Sequence, residues 1–128
     1  MKLTSTEAFE LSRRFRGLSV ALGDFRFARW DELKPAQRRT LEDTEWSLLN
    51  ASSDMITTAV GLVLDETEVS FARLQESAEK ADHAIRTLAA VRRVIRLAAA
   101  AVRLSAAIVS REPAAVARRA KDLYELAA

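Results

Sequence analysis

Residues 83–111, HAIRTLAAVRRVIRLAAAAVRLSAAIVSR, decide the fold. Between Asp82 and Glu112 stand six arginines, Arg86, Arg92, Arg93, Arg96, Arg103 and Arg111, and no acid. Wound at roughly 100° per residue, the arginines fall within an arc of about 120°, while Leu88, Val91, Val94, Ile95, Leu97, Val102, Leu104, Ile108 and Val109 cover roughly 200° of the remainder. A helix with so wide an apolar surface is not stable alone in water, so other helices must cover it. Its alanines, Ala89, Ala90, Ala98 to Ala101, Ala106 and Ala107, carry the highest helix propensity and let neighbouring backbones approach closely. The stretch therefore belongs at the centre of a helical bundle.

Composition points the same way. A chain of 128 residues that is 49% apolar and 30% charged, with three glycines and two prolines, suits one all-α domain spanning residues 1–128. The absence of cysteine excludes disulfides, thiolate nucleophiles and cysteine-based metal sites. Met1 to Glu10 is polar where a secretory signal needs an apolar core, and the apolar run Val94 to Val109 is interrupted by Arg96 and Arg103. These features predict a cytoplasmic protein with no membrane partner. Residues 1–30 carry six bases and three acids, 31–82 five and twelve, and 83–128 nine and three, giving +3, −7 and +6. An acidic middle between basic ends predicts ion pairing within the bundle or across a dimer, and the alternative is an exposed basic surface.

The helices follow from caps and periodicity. Thr4 and Glu7 form a capping box ahead of Ala8, Leu11, Phe15, Leu18 and Leu22, predicting a helix over 5–22 that Gly23 ends. Phe25, Phe27 and Trp30 follow in a connector and lid the core, with base stacking as the alternative because Arg26 and Arg29 interleave. Pro35 opens a helix over 35–64, with Leu41, Leu48, Met55, Ala59 and Leu62 on one stripe and Leu49, Ile56, Val60 and Val63 beside it. A second box at Asp65 and Glu68 opens a helix over 66–110, near 65 Å long at 1.5 Å per residue. A helix of that length either breaks near Ala81 to His83 or projects to meet another subunit. The series Leu74, Ala78, Ala81, Ile85, Leu88, Ile95, Val102 and Val109 is coiled-coil in character and predicts an oligomer interface. Pro113 opens a last helix over 113–126, with Val116, Ala120, Leu123 and Tyr124 on its apolar side. The predicted architecture is an antiparallel helical bundle with one long alanine-rich central helix, completed by oligomerisation.

The sequence offers little catalytic chemistry. His83 is the single histidine, and no serine or threonine has the neighbours of an activated nucleophile. Glu76 and Glu79 lie on the turns before His83, but Lys80 stands where a carboxylate-bridged di-iron bundle needs glutamate. Gly17, Gly23 and Gly61 are isolated, so no phosphate loop is present. No catalytic residue, cofactor or metal site is predicted. The run His83-Ala84-Ile85-Arg86-Thr87 resembles the phosphoacceptor box of two-component histidine kinases and, more loosely, that of histidine phosphotransfer bundles. In those boxes a helical histidine is followed by an apolar residue at +2 and a base at +3. Ala84 and Leu88 stand where the kinase box has an acid and a proline, and Thr87 where the phosphotransfer box has glycine. The resemblance implies His83 as a phosphoacceptor. The six arginines offer a second alternative, phosphate contacts of a nucleic-acid-binding protein. The leading expectation is a non-enzymatic protein–protein interaction module whose partner is itself, as a homodimer or larger assembly, or another protein, serving as a small adaptor, structural or regulatory subunit.

Overall fold

A computed structural model describes residues 1–87 and 90–128. Among the described residues five helices form, α1 (Ser5–Ala28), α2 (Pro35–Thr58), α3 (Phe71–Thr87), α4 (Val91–Val109) and α5 (Pro113–Ala127), with a 3₁₀ turn at Trp30–Glu32. They close a ring in which α1 packs on α2, α2 on α4, α4 on α5, α5 on α3, and α3 back on α1. The predicted all-α bundle is what the chain forms. Its core fills the ring with Leu11, Phe15, Leu18 and Leu22 from α1, Leu41, Leu48 and Met55 from α2, Leu74 and Ile85 from α3, Val94, Leu97, Leu104 and Ile108 from α4, and Val116 and Leu123 from α5.

The single long helix over 66–110 is corrected to two. Ala90 adopts an extended backbone (φ −77, ψ 109) ahead of α4, so the helical path does not continue from α3. No proline or glycine marks this boundary; packing sets it. Folding α4 back between α2 and α5 buries Val94, Leu97, Leu104 and Ile108, worth about 1.5–3 kcal/mol each. That exceeds a few helical hydrogen bonds at roughly 1 kcal/mol net apiece. The start moves as well, from Glu66 to Phe71. The Asp65 carboxylate accepts the Thr67 amide at 3.0 Å and the Thr67 hydroxyl at 2.6 Å, making a tight turn instead of a capping box. The hydroxyl bond, then the amide bond, holds the Asp65 carboxyl below the usual range. Ser70 caps α3 instead, accepting the Arg73 amide at 3.2 Å.

At the other end of the chain the first capping box forms as predicted, with Thr4 Oγ1 accepting the Glu7 amide at 3.1 Å and Glu7 Oε1 accepting the Thr4 amide at 2.9 Å. Gly23, however, does not end α1, which continues to Ala28. Its role is close approach: a Cβ there would lie 2.9 Å from Glu45 Oε1 of α2. The Glu45 carboxylate is held in that place by Arg26, whose Nε donates at 2.6 Å and Nη2 at 3.2 Å. That hydrogen bond to Glu45 raises the Arg26 pKa further above its ordinary value. Extending α1 buries Phe25 but leaves Phe27 and Trp30 exposed, so only Phe25 lids the core.

The end of α2 is corrected from 64 to Thr58. Gly61, at φ +80, turns the chain so that residues 62–64 run extended beside residues 1–3. Leu3 donates to Leu62 at 2.9 Å, Gly61 to Leu3 at 2.8 Å and Leu64 to Met1 at 2.8 Å, with an antiparallel bridge between Lys2 and Val63. Leu62 and Leu64 point into the core and Val63 out, the period-2 alternation of a strand.

Candidate interaction surfaces

The exposed large apolar side chains are Met1, Phe9, Val20, Phe27, Trp30, Trp46, Ile56, Val60 and Val63. All precede residue 64, and among the described residues none belongs to α3, α4 or α5. Two buried serines fix the register that gathers them. Ser12 Oγ donates to the Ser52 carbonyl at 2.6 Å, and Ser19 Oγ to the Glu45 carbonyl at 2.9 Å. Phe9 lies one turn before Ser12 and Ile56 one turn after Ser52, so these two are level on the antiparallel hairpin; Val20 and Trp46, each next to a bonded residue, are level further along. On α1 the spacing of Phe9, Arg13, Arg16, Val20 and Phe27 forms one outward stripe opposite the buried Leu11, Phe15, Leu18 and Leu22.

Several of these side chains are held in place although solvent reaches them. Phe27 and Trp30 stack with centroids 6.2 Å apart and planes 13° from parallel. The Arg26 guanidinium sits 4.7 Å from the Phe27 centroid, and that of Arg38 4.3 Å from the Trp30 centroid. Arg38 also donates to the Trp30 carbonyl at 2.6 and 3.0 Å. Among the described residues Arg13, Arg16, Glu42 and Asp43 take part in no ion pair. Arg13 and Arg16 lie in the half of the face nearer Phe9, Glu42 and Asp43 in the half nearer Phe27.

The six arginines do not act as one surface. Arg86 pairs with Asp82 at 3.1 Å and Asp24 at 3.7 Å. Arg93 turns inward, its Nη2 donating to the carbonyls of Leu126 at 2.7 Å and Ala128 at 2.9 Å, so it caps the end of α5. Its Nε is buried with no partner among the described residues. Arg92, Arg96, Arg103 and Arg111 are exposed and enter no ion pair among the described residues. Within the chain and among the described residues, pairing of these six with the acidic middle thus holds for Arg86 alone. Arg103 borders a crevice of about 270 Å³ between α4 and α5, lined also by Ser110, Glu112, Arg118 and Arg119.

The series predicted as an oligomer interface does not form one exposed seam. Leu74, Ala78, Ala81 and Ile85 are buried in the chain's own core and have no surface to offer a partner. Ile95, Val102 and Val109 are half-buried against that core, and Leu88 lies outside the described residues. The heptad-like series is therefore divided between two helices. His83 is exposed on α3, and its carbonyl accepts the Thr87 hydroxyl at 2.8 Å.

A groove of about 740 Å³ separates α3 from α5 over Val69, Ala114, Ala117 and Tyr124. Of the cations that line it, Arg73, Arg118 and Lys121, Arg73 sits 4.2 Å from the Tyr124 ring centroid, and Lys80, outside the lining, sits 4.7 Å from the same ring. Among the described residues no group of three or more His, Asp or Glu is arranged to hold a metal ion, and no helix is long and apolar enough to cross a membrane. Comparison with family models, curated proteins and solved structures finds no match. No motif marks the outer face of the hairpin in the sequence; its one signal is that Phe9, Val20, Phe27 and Trp46 all fall off the apolar stripes of their helices.

Proposed function

We propose that this chain is a self-associating interaction module, a small adaptor, structural or regulatory subunit, and that its contact surface is the outer face of the α1–α2 hairpin. The carrying observation is the confinement, among the described residues, of the exposed large apolar side chains to residues 1–63, with Phe9 level with Ile56 and Val20 level with Trp46. Exposed apolar residues that cluster, unlike scattered ones, mark association surfaces. Phe9 at 51%, Phe27 at 69% and Trp46 at 59% exposure retain most of their area for a partner. Covering these three with Val20 and Ile56 on both copies, at roughly 1 kcal/mol per side chain, gives about 10 kcal/mol. That exceeds the lower part of an association cost of about 4–15 kcal/mol, so the dimer is reversible. An antiparallel stack sets the Arg13 and Arg16 half of one face over the Glu42 and Asp43 half of the other, which makes the face complementary to itself.

Sedimentation velocity at tens of micromolar tests this. The wild type sediments as a dimer or larger, and Val20→Ser with Trp46→Ser sediments as a monomer with unchanged helicity. A wild-type monomer at that concentration, or a double variant that still associates, overturns the proposal. A second reading, histidine phosphotransfer, draws on the exposure of His83 on a bundle helix. Phosphate labelling of the wild type but not of His83→Gln, after incubation with a phosphorylated receiver domain, would support it.

A further inference from the structure

A different face carries a second activity: we infer that Arg92, Arg96 and Arg103 form a contact track for the phosphate backbone of a nucleic acid. The three project from α4 within an arc of about 40° and extend over roughly 16 Å of its length. One strand of duplex DNA presents about five phosphates over that distance. Six other arginines, Arg14, Arg26, Arg29, Arg73, Arg86 and Arg119, have an acid within ion-pair distance, whereas these three have none among the described residues. No acid occurs anywhere on α4 to neutralise them. The remaining exposed positions on this side of the helix, Ala106 and Ser110, are small and leave the arginines standing clear. At the end of the track Arg103 and Arg118 line one α4–α5 crevice with Arg119 and Glu112, and Arg103 borders a second with Asp122, which pairs with Arg119, and Glu125.

The surroundings select nucleic acid over other anions. A helix that lies in a bilayer interface needs apolar side chains beside its cations, and a protein interface needs apolar or aromatic anchors at its centre. Neither α4 nor α5 exposes a large apolar side chain among the described residues. What remains is a row of guanidinium groups on a bland helix, suited to bidentate, sequence-independent phosphate contacts. The track lies outside the α1–α2 face, so this inference does not depend on self-association.

Fluorescence anisotropy with a labelled random-sequence duplex, titrated between about 50 and 200 mM salt, reads the track directly, because each phosphate contact contributes roughly 0.9 to the slope of log affinity against log salt. Arg92→Gln with Arg96→Gln and Arg103→Gln should flatten that slope by about 2.7. Lys2→Gln with Lys34→Gln and Arg39→Gln removes the same charge from exposed positions elsewhere and should leave the slope nearly unchanged. All six positions are exposed, and unchanged circular dichroism of both variants verifies that they fold. Absence of duplex binding at about 50 mM salt and 100 μM protein overturns the inference, as do equal slopes for the two variants. Arginine-dependent binding to phosphatidylserine vesicles in place of the duplex overturns it in favour of a membrane contact.

Discussion

Gly17 and Gly23 both sit inside α1, yet the same substitution should move stability in opposite directions. Replacing glycine with alanine in a helix interior gains about 1 kcal/mol from intrinsic propensity. At Gly17 an added Cβ meets nothing within 4 Å, so the gain is realised in full. Unfolding entropy near 2.1 cal/mol/K per residue amounts to about 0.27 kcal/mol/K for this chain, so Gly17→Ala should raise Tm by about 4 °C. At Gly23 the new Cβ lies 2.9 Å from Glu45 Oε1 and 3.6 Å from Cδ, and the carboxylate must move. It cannot do so freely, because it forms a forked pair with Arg26 and the two side chains are only 16% and 11% exposed. Losing one of those charge-assisted hydrogen bonds costs about 2 kcal/mol, against the 1 kcal/mol gained. Gly23→Ala should therefore lower Tm by about 4 °C. The test is a set of thermal melts by circular dichroism that includes Gly23→Ala in a Glu45→Ala background, where the obstacle is gone and the substitution should become stabilising. Equal increases in Tm for Gly17→Ala and Gly23→Ala in the wild-type background would refute the role assigned to Glu45.

Three further outcomes follow from named contacts. Arg93→Ala removes two charge-assisted bonds from the end of α5 and should cost about 2–4 kcal/mol, with hydrogen exchange rising first near Tyr124 to Ala127. Ile85→Ala, at a fully buried position, should cost about 2–5 kcal/mol in chemical denaturation, whereas Ile56→Ala on the exposed face should change monomer stability by less than about 0.5 kcal/mol. The depressed carboxyl of Asp65 contributes stability that is fully present above the ordinary aspartate pKa near 3.9 and is lost as pH falls through the folded-state value. Thr67→Val removes the hydroxyl bond, and a carboxyl-carbon NMR titration should then show the Asp65 pKa moving up.

Much of the fold was legible because local chemistry and tertiary packing agree along most of the chain. Thr4 with Glu7, Pro35 and Pro113 mark helix starts that the structure keeps, and the stripes Leu11 to Leu22 and Leu41 to Met55 are buried as their spacing implies. Disagreement arises where one residue type serves two purposes. Gly23 has the form of a terminator, but the identity of its neighbour, Glu45, is a tertiary fact invisible in α1 alone. Residues 62–64 continue a helical apolar pattern and equally satisfy the alternation of a strand; pairing with residues 1–3, some sixty positions away, decides between them. Asp65 satisfies the pattern of an N-cap, but with Thr67 two residues on it closes a turn, and Ser70 takes the cap.

The candidate surfaces were harder to read than the helices because amphipathic arithmetic locates what must be buried without saying by whom. The wide apolar arc of residues 91–109 demanded cover, and a second subunit was one way to supply it. The ring supplies it internally: once the chain departs from helix at Ala90, α4 lies between α2 and α5, and Val94, Leu97, Leu104 and Ile108 vanish from solvent. The same closure leaves Arg92, Arg96 and Arg103 outward and turns Arg93 onto the carbonyls of α5, dividing a charge cluster that appears uniform in sequence. On α1 and α2 it leaves Phe9, Val20, Phe27, Trp46 and Ile56 exposed. These helices have the least pronounced apolar stripes, because Phe9, Val20, Phe27 and Trp46 lie on their outer sides. A weak stripe in sequence thus has two physical origins, a helix that packs poorly or one with two apolar sides. For α1, whose inner residues Leu11, Phe15, Leu18 and Leu22 have no exposure left, only the second origin remains.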